Sequence, residues 1–195
     1  MEKNRLLIFA THNENKAEEI RVILPDNYEI KTLKDLDYSE DIPETQSTLE
    51  GNALQKARYV YQQYDVDCFA DDTGLEIAAL DGAPGVHSAR YAGTERDSEK
   101  NIDLVLEKLQ NKDDRTGQFR TVIALIIDGK EYLFEGVVKG KISTERHGDF
   151  GFGYDSIFYP ENEAKTFGEM TLEEKNKFSH RSRAIKKMID FLQIS

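Results

Sequence analysis

Cysteine is almost missing from this chain: Cys68 is the only one in 195 residues, so no disulfide forms within it. Its setting, Asp67-Cys68-Phe69-Ala70, reads as the start of a buried strand and makes the thiol a packed, inert one. Proline is scarce too, 4 residues beside 13 glycines, and with 38% hydrophobic and 32% charged residues this excludes collagen-like, low-complexity and disordered chains. Positive charge is in deficit. Against 37 acidic residues there are 26 basic ones, and the resulting −11 repels nucleic acid and anionic membrane surfaces. A polyphosphate substrate stays open, because a divalent cation bridges acidic side chains to an anionic ligand. The apolar run near the start, Leu6 to Ala10, is too short for a secretory signal core or a membrane span. The expected location is the cytoplasm, with neither nucleic acid nor membrane as partner.

What is present reads as one domain over residues 1–195, long enough for a core that needs no staples. Leu6 to Ala10 suits a strand covered on both faces, and Thr11 with Glu14 fits a capping box for a helix carrying Ala17, Ile20, Ile23 and Leu24 up to Pro25. A second helix is expected from about Thr48, with Leu49, Ala53, Ala57, Val60 and Tyr64 on one face, leading into a strand from Cys68 to Asp71. Residues 73–94, rich in Gly and Ala, read as a long ordered loop. Ile102, Val105, Leu106 and Leu109 mark a helix. Phe119 to Ile127 and Tyr132 to Val138 flank Asp128-Gly129, a strong hairpin signal. Thr171 to Glu174 repeats the capping-box pattern, and Ser179 suits the cap of a final helix with Ala184, Ile185, Met188, Ile189 and Leu192. The class is α/β, with a hairpin that bars a purely parallel sheet.

Polar residues placed directly after apolar strands face ligand crevices in open α/β sheets. Thr11-His12-Asn13-Glu14-Asn15-Lys16 offers helix-start N–H groups and an ammonium for phosphate oxygens, or is simply a capped helix with a solvated lysine. Ala70-Asp71-Asp72-Thr73-Gly74 either divides two carboxylates between metal and substrate or forms an Asx-rich turn closed by Gly74. Glu44 adds a carboxylate ahead of the second helix. Lys56 lies close to that helix's buried stripe, where it either snorkels outward or has an anionic partner. Gly151-Phe152-Gly153-Tyr154-Asp155 lacks the strand–helix context of a dinucleotide fingerprint; it suits an aromatic platform with a carboxylate reading a ring's edge, or an aromatic turn closing the core. Lys175, His180 and Arg181 are donors to a ligand or a solvated basic patch.

Taken in order, these segments resemble the inosine triphosphate pyrophosphatase family. The resemblance runs through Thr11 to Lys16, Glu44-Thr45, Glu50-Gly51-Asn52-Ala53 with Lys56-Ala57-Arg58, Ala70 to Leu75, Gly82 to Gly85 with Ser88 to Tyr91, Gly151 to Asp155, and Ser179-His180-Arg181. It implies an elongated two-lobed α/β fold, a central mixed sheet flanked by helices, a nucleotide cleft between the lobes, and a homodimer. The implied reaction is Mg2+-dependent hydrolysis of ITP, dITP and XTP to the monophosphate and pyrophosphate, by attack of water on the α-phosphorus. Carried over, Thr11, His12, Asn13, Glu14, Asn15, Lys16 and Lys56 take the phosphates and sugar. Glu44 and Asp71 hold the metal, Asp71 also being the general base, and Asp72 binds substrate. Phe152, Gly153, Tyr154, Asp155, Lys175, His180 and Arg181 match the base pocket. The chain departs from the family pattern with Gln46 for a usual glycine, Ser156 for a usual proline and Gly51 for a frequent glutamate. A haloacid-dehalogenase-like phosphatase needs an aspartate two residues before a second one, and Asp71-Asp72 are adjacent. A silent nucleotide-binding module would not need the ordered carboxylates Glu44, Asp71 and Asp72.

Overall fold

The computed structural model describes residues 5–194. Its strands are β1 (Arg5–Phe9), β2 (Tyr28–Thr32), β3 (Cys68–Ile77), β4 (Thr116–Ile127), β5 (Lys130–Ile142) and β6 (Phe158–Pro160). The helices are α1 (Glu14–Arg21), α2 (Leu49–Tyr64), α3 (Ser98–Lys108), α4 (Leu172–Asn176) and α5 (His180–Ile194). The strands form one sheet in the order β2-β1-β3-β4-β5-β6. β1 runs parallel to β2 and β3, and β5 pairs antiparallel with β6, so the sheet is mixed and the fold is α/β.

Two compact units share the chain. Among the described residues, unit 1 holds 5–72, 121–136 and 181–194; unit 2 holds 73–120 and 137–180. The core of unit 1 joins Leu7, Phe9 and Phe69 to Ile123 and Leu125, and to Ala17, Ile20, Ile185 and Met188 from α1 and α5. Phe9 and Phe69 stack with centroids 4.5 Å apart. Side chains alternate along a strand, so the residues beside Phe69 face the other way: the Cys68 thiol donates to the Ala57 carbonyl in α2. Burial pushes that thiol up to about 12, as an inert cysteine requires. Unit 2 builds its own core from Leu75, Ile77, Ile102, Val105, Phe119, Val138, Phe158 and Phe167.

The Asp128-Gly129 turn forms as expected, with both residues at positive φ, 48° and 73°. Thr171 and Glu174 form their capping box, and Thr48 caps α2. Other expectations shift. Asn13, not Thr11 with Glu14, caps α1, accepting from the Lys16 N–H; Thr11 Oγ1 accepts instead from the Asn13 N–H. The helix ends at Arg21, although Ile23 and Leu24 still pack on the core. β3 does not stop at Asp71 but runs to Ile77. Most of the expected loop over 73–94 is therefore the end of a strand and two short 3-10 turns, Ala78–Leu80 and Gly85–Arg90. Gly74 lies within that strand, and the position needs glycine because the backbone of Gly85 crosses it: a Cβ there would sit 2.7 Å from the Gly85 oxygen. The short strands β2 and β6, of five and three residues, are not among the elements expected from the sequence.

Candidate active site

In unit 1 the alternation of β3 separates the two aspartates. Asp71 shares a face with Phe69 and looks toward α1 and α5. Its Oδ1 accepts from Lys16 Nζ at 2.9 Å and its Oδ2 from Arg181 Nε at 3.3 Å. Arg181 is itself 1% exposed and donates its Nη1 to Glu19, a buried carboxylate of α1. Asp72 looks toward α2, where its Oδ2 accepts from Asn52 Nδ2 at 2.9 Å and its Oδ1 lies 3.9 Å from Lys56 Nζ. Lys56 also binds Glu44 Oε1 at 2.5 Å. The Asx-turn reading of Asp71-Asp72 thus gives way to carboxylates pointing in opposite directions, and Lys56 has its anionic partners.

The environments drive the two carboxyls apart. Burial works against the charge of Asp71, but Lys16, Arg181 and Lys56 outweigh it and hold the carboxyl well below the usual range. For Asp72 burial prevails over Lys56 and Lys16, with Glu44 adding to it, and the carboxyl is pushed up. Burial lowers Lys16, only partly countered by Asp71, whereas Asp72, Glu44 and Asp71 together overcome burial and raise Lys56. Glu19, Glu44, Asp71 and Asp72 against Lys16, Lys56 and Arg181 leave one negative charge in excess.

That donor set suits a hard cation. Magnesium commonly takes one or two carboxylates and completes its shell with water and phosphate oxygens. Among the described residues no three His, Cys, Asp or Glu side chains group as a closed metal cage. Glu44 and Asp71 each face an ammonium, Lys56 and Lys16 respectively.

The other residues of the Thr11 to Lys16 segment do different things. Thr11 is buried and Asn13 is the cap, while Asn15 is exposed on the first turn of α1. Glu14 accepts from the Thr32 hydroxyl at 3.4 Å. His12 Nε2 meets the Glu40 carbonyl oxygen at 2.9 Å, which ties this turn to the loop leading to Glu44.

Unit 2 holds an aromatic cluster. Asp155 Oδ2 accepts from Lys175 Nζ at 2.7 Å and from the Phe152 N–H at 2.8 Å. Both charged side chains are buried, and Lys175 Nζ sits 5.0 Å from the centroid of the half-buried Phe152 ring. Gly151 is required here: its φ is 75° and a Cβ would overlap Asp155 Oδ2. His180 stacks on Phe119 with centroids 4.6 Å apart. Of the two expected platform aromatics, Phe152 keeps a partly open ring. Tyr154 belongs to the core, and its hydroxyl donates to the Ser88 carbonyl at 2.7 Å. Lys175 and His180 are likewise buried, which removes the solvated-patch reading for them. Gly153 takes a φ of 60° between the two rings.

The sequence names no role for Glu19, and it includes Asn52 in the Glu50-Gly51-Asn52-Ala53 motif without assigning it one. The signal was available: Glu19 adjoins Ile20 on the buried side of α1, and Asn52 lies one helical turn before Lys56 among Leu49, Ala53 and Ala57. The departures at Gln46 and Gly51 meet in space, since a Cβ on Gly51 would lie 2.7 Å from Gln46 Cβ.

The Ham1 family model matches residues 7–191. A dITP/XTP pyrophosphatase of Flavobacterium johnsoniae is 51% identical over 95% of this chain and 97% of its own length. One from Bacillus subtilis is 45% identical over 95% and 96%. Among solved structures, the Ham1 protein of Staphylococcus aureus superposes with a TM-score of 0.87 at 39% identity, covering 97% of this chain and 98% of that one. A HAM1 protein from Coxiella burnetii gives 0.89 at 36% identity, covering 98% and 100%.

Proposed function

The chain belongs to the Ham1 family, and from that premise we propose that it hydrolyses non-standard purine nucleoside triphosphates, ITP, dITP and XTP, to the monophosphate and pyrophosphate, clearing them from the nucleotide pool. The observation that carries this reading is the buried cluster of unit 1, where Lys16 and Lys56 stand on carboxylates that a metal–polyphosphate ligand would share. Lys16 and Lys56 turn from those carboxylates to phosphate oxygens and hold the chain in line for attack. Thr11 to Asn15 border the phosphates and sugar, and Asp72 contacts substrate. Glu44 and Asp71 would hold Mg2+, which when bound neutralises the polyphosphate and stabilises charge gathering on the equatorial oxygens. Asp71 is the carboxylate that would position or deprotonate the attacking water, Lys16 having turned to the phosphates.

The unit 2 cluster is assigned to the base, with Phe152 stacking and Gly153, Tyr154, Asp155, Lys175 and His180 building its frame. Donors placed for a 6-keto oxygen leave donor facing donor when the ring carries an amino group, as adenine does, and a buried unpaired donor costs about 1–3 kcal/mol. Arg181, matched to the base pocket by the family resemblance, also has its Nε and Nη1 on Asp71 and Glu19, so it would support the proposed metal ligand as well. We further propose that residues 1–195 work as one pyrophosphatase domain, as a homodimer in the cytoplasm, with no nucleic-acid or membrane partner. No helix among the described residues is long and apolar enough to cross a membrane.

The test is a product assay with inosine, deoxyinosine, xanthosine and adenosine triphosphates, with and without Mg2+, separating pyrophosphate from orthophosphate. Pyrophosphate from the first three, only with Mg2+ and with slow adenosine triphosphate turnover, is the expected result. Orthophosphate would indicate a phosphatase, and nucleotide binding without turnover a silent module.

A further inference from the structure

We infer that Asn52 is a positioning residue for the acidic site, its single side-chain amide tying the loop that carries Glu44 to the carboxylate of Asp72. This rests on the function proposed above for what Glu44 and Asp72 do, but the tie itself is read from geometry. Asn52 is 1% exposed and lies near the start of α2. Its Oδ1 accepts from the Gln46 backbone N–H at 2.9 Å, and its Nδ2 donates to Asp72 Oδ2 at 2.9 Å. The two bonds specify one orientation of the amide, because a flipped group would set oxygen against carboxylate and N–H against N–H.

The loop is pinned close to the carboxylate it carries. Gln46 is two residues beyond Glu44, and Thr45 between them is gripped by Gln55, which accepts from the Thr45 N–H and donates to its hydroxyl, both at 3.0 Å. With Oδ2 of Asp72 engaged by Asn52, Oδ1 is the oxygen that faces Lys56. Lys56 in turn grips Glu44, so Asn52 and Lys56, one turn apart on α2, brace the same two carboxylates. Gly51 makes the approach possible. Any side chain there begins 2.7 Å from Gln46 Cβ and drives the loop away from the Asn52 amide.

The experiment compares Asn52→Ala and Asn52→Asp with the wild type, reading hydrogen exchange of the segment over residues 40–48 in the metal-free protein, and then ITP hydrolysis against Mg2+ concentration. Asn52→Ala removes both bonds. Exchange at the Gln46 amide should quicken about ten-fold, kcat/KM should fall about ten- to a hundred-fold, and half-maximal activity should need several-fold more Mg2+. Asn52→Asp keeps an acceptor for the Gln46 N–H and loses the donor to Asp72, so exchange should stay near wild type while kcat/KM falls as far. A merely structural asparagine would lower the melting temperature without moving the Mg2+ requirement. Wild-type exchange in Asn52→Ala, or wild-type kcat/KM in Asn52→Asp, overturns the inference; if Asn52→Ala does not fold, Asn52→Asp decides it alone. Should the wild type fail to hydrolyse ITP, the functional reading falls, and the exchange data still judge the tie.

Discussion

Asp71 and Asp72 are chain neighbours that one strand turns into opposites, one held ionised by three cations and the other pushed toward protonation by burial. Asp71→Asn keeps the shape but cannot replace a charged ligand, and ITP turnover should fall at least about a thousand-fold. The depressed carboxyl also stabilises the fold. Its contribution is present above the unfolded-state pKa of about 4 and is lost as pH falls through the lower folded value. The variant should therefore melt below the wild type at pH 7, with the gap closing below about pH 4. Unchanged turnover would remove Asp71 from the site. Arg181→Ala exposes a different dependence. It strips compensation from Glu19 and Asp71 at once, a kind of loss that costs about 3–5 kcal/mol in buried pairs. Inosine and adenosine triphosphate rates should fall together, along with the melting temperature. A loss confined to inosine triphosphate at unchanged stability would return Arg181 to base reading alone.

At the scale of the element, α2 does two jobs with one face. Leu49, Ala53, Ala57 and Val60 bury it, while Asn52 and Lys56 on the same stripe carry polar groups to Asp72 and Glu44. Its N-terminus needs Gly51, even though alanine is the better helix former by about 1 kcal/mol. The reason is Gln46. Gly51→Ala should destabilise by about 1–3 kcal/mol through the overlap with Gln46 Cβ. In a Gln46→Gly background the same change should become neutral or stabilising by up to about 1 kcal/mol. Denaturant melts of the two single variants and the double one check the reversal of sign, and an unchanged cost in the double variant would mean that the two residues do not compete for space. β3 carries the corresponding lesson for strands. Ala70-Asp71-Asp72-Thr73-Gly74 has turn-forming residues, yet in the sheet it runs extended, and the Gly85 backbone crossing Gly74 leaves no room there for a side chain.

For the whole molecule, charge and assembly are the relevant quantities. The proposed polyphosphate substrate has to approach a chain of net charge −11, and Lys16 and Lys56 are the cations proposed to hold it there. The proposed homodimer should appear in light scattering at micromolar concentration as twice the 22.3 kDa of one chain. A mass of 22.3 kDa would count against it.

Local pattern alone determined much of this protein. Apolar spacing located α2, α3 and α5, two positive-φ formers located the β4–β5 hairpin, and an apolar run ending in Asp71-Asp72 located the acidic strand, because helix faces, turns and strand ends are written within a few residues. Tertiary structure decided the partners. Lys16 and Asp71 are 55 residues apart, Arg181 and Asp71 110, and Arg181 and Glu19 162. Nothing in a local window records which buried cation meets which buried anion. The division of labour between Asp71 and Asp72, the support of Asp71 by Arg181 and Glu19, and the brace at Asn52 follow from burial and from charges brought near by the fold, and those exist only once the chain has closed on itself.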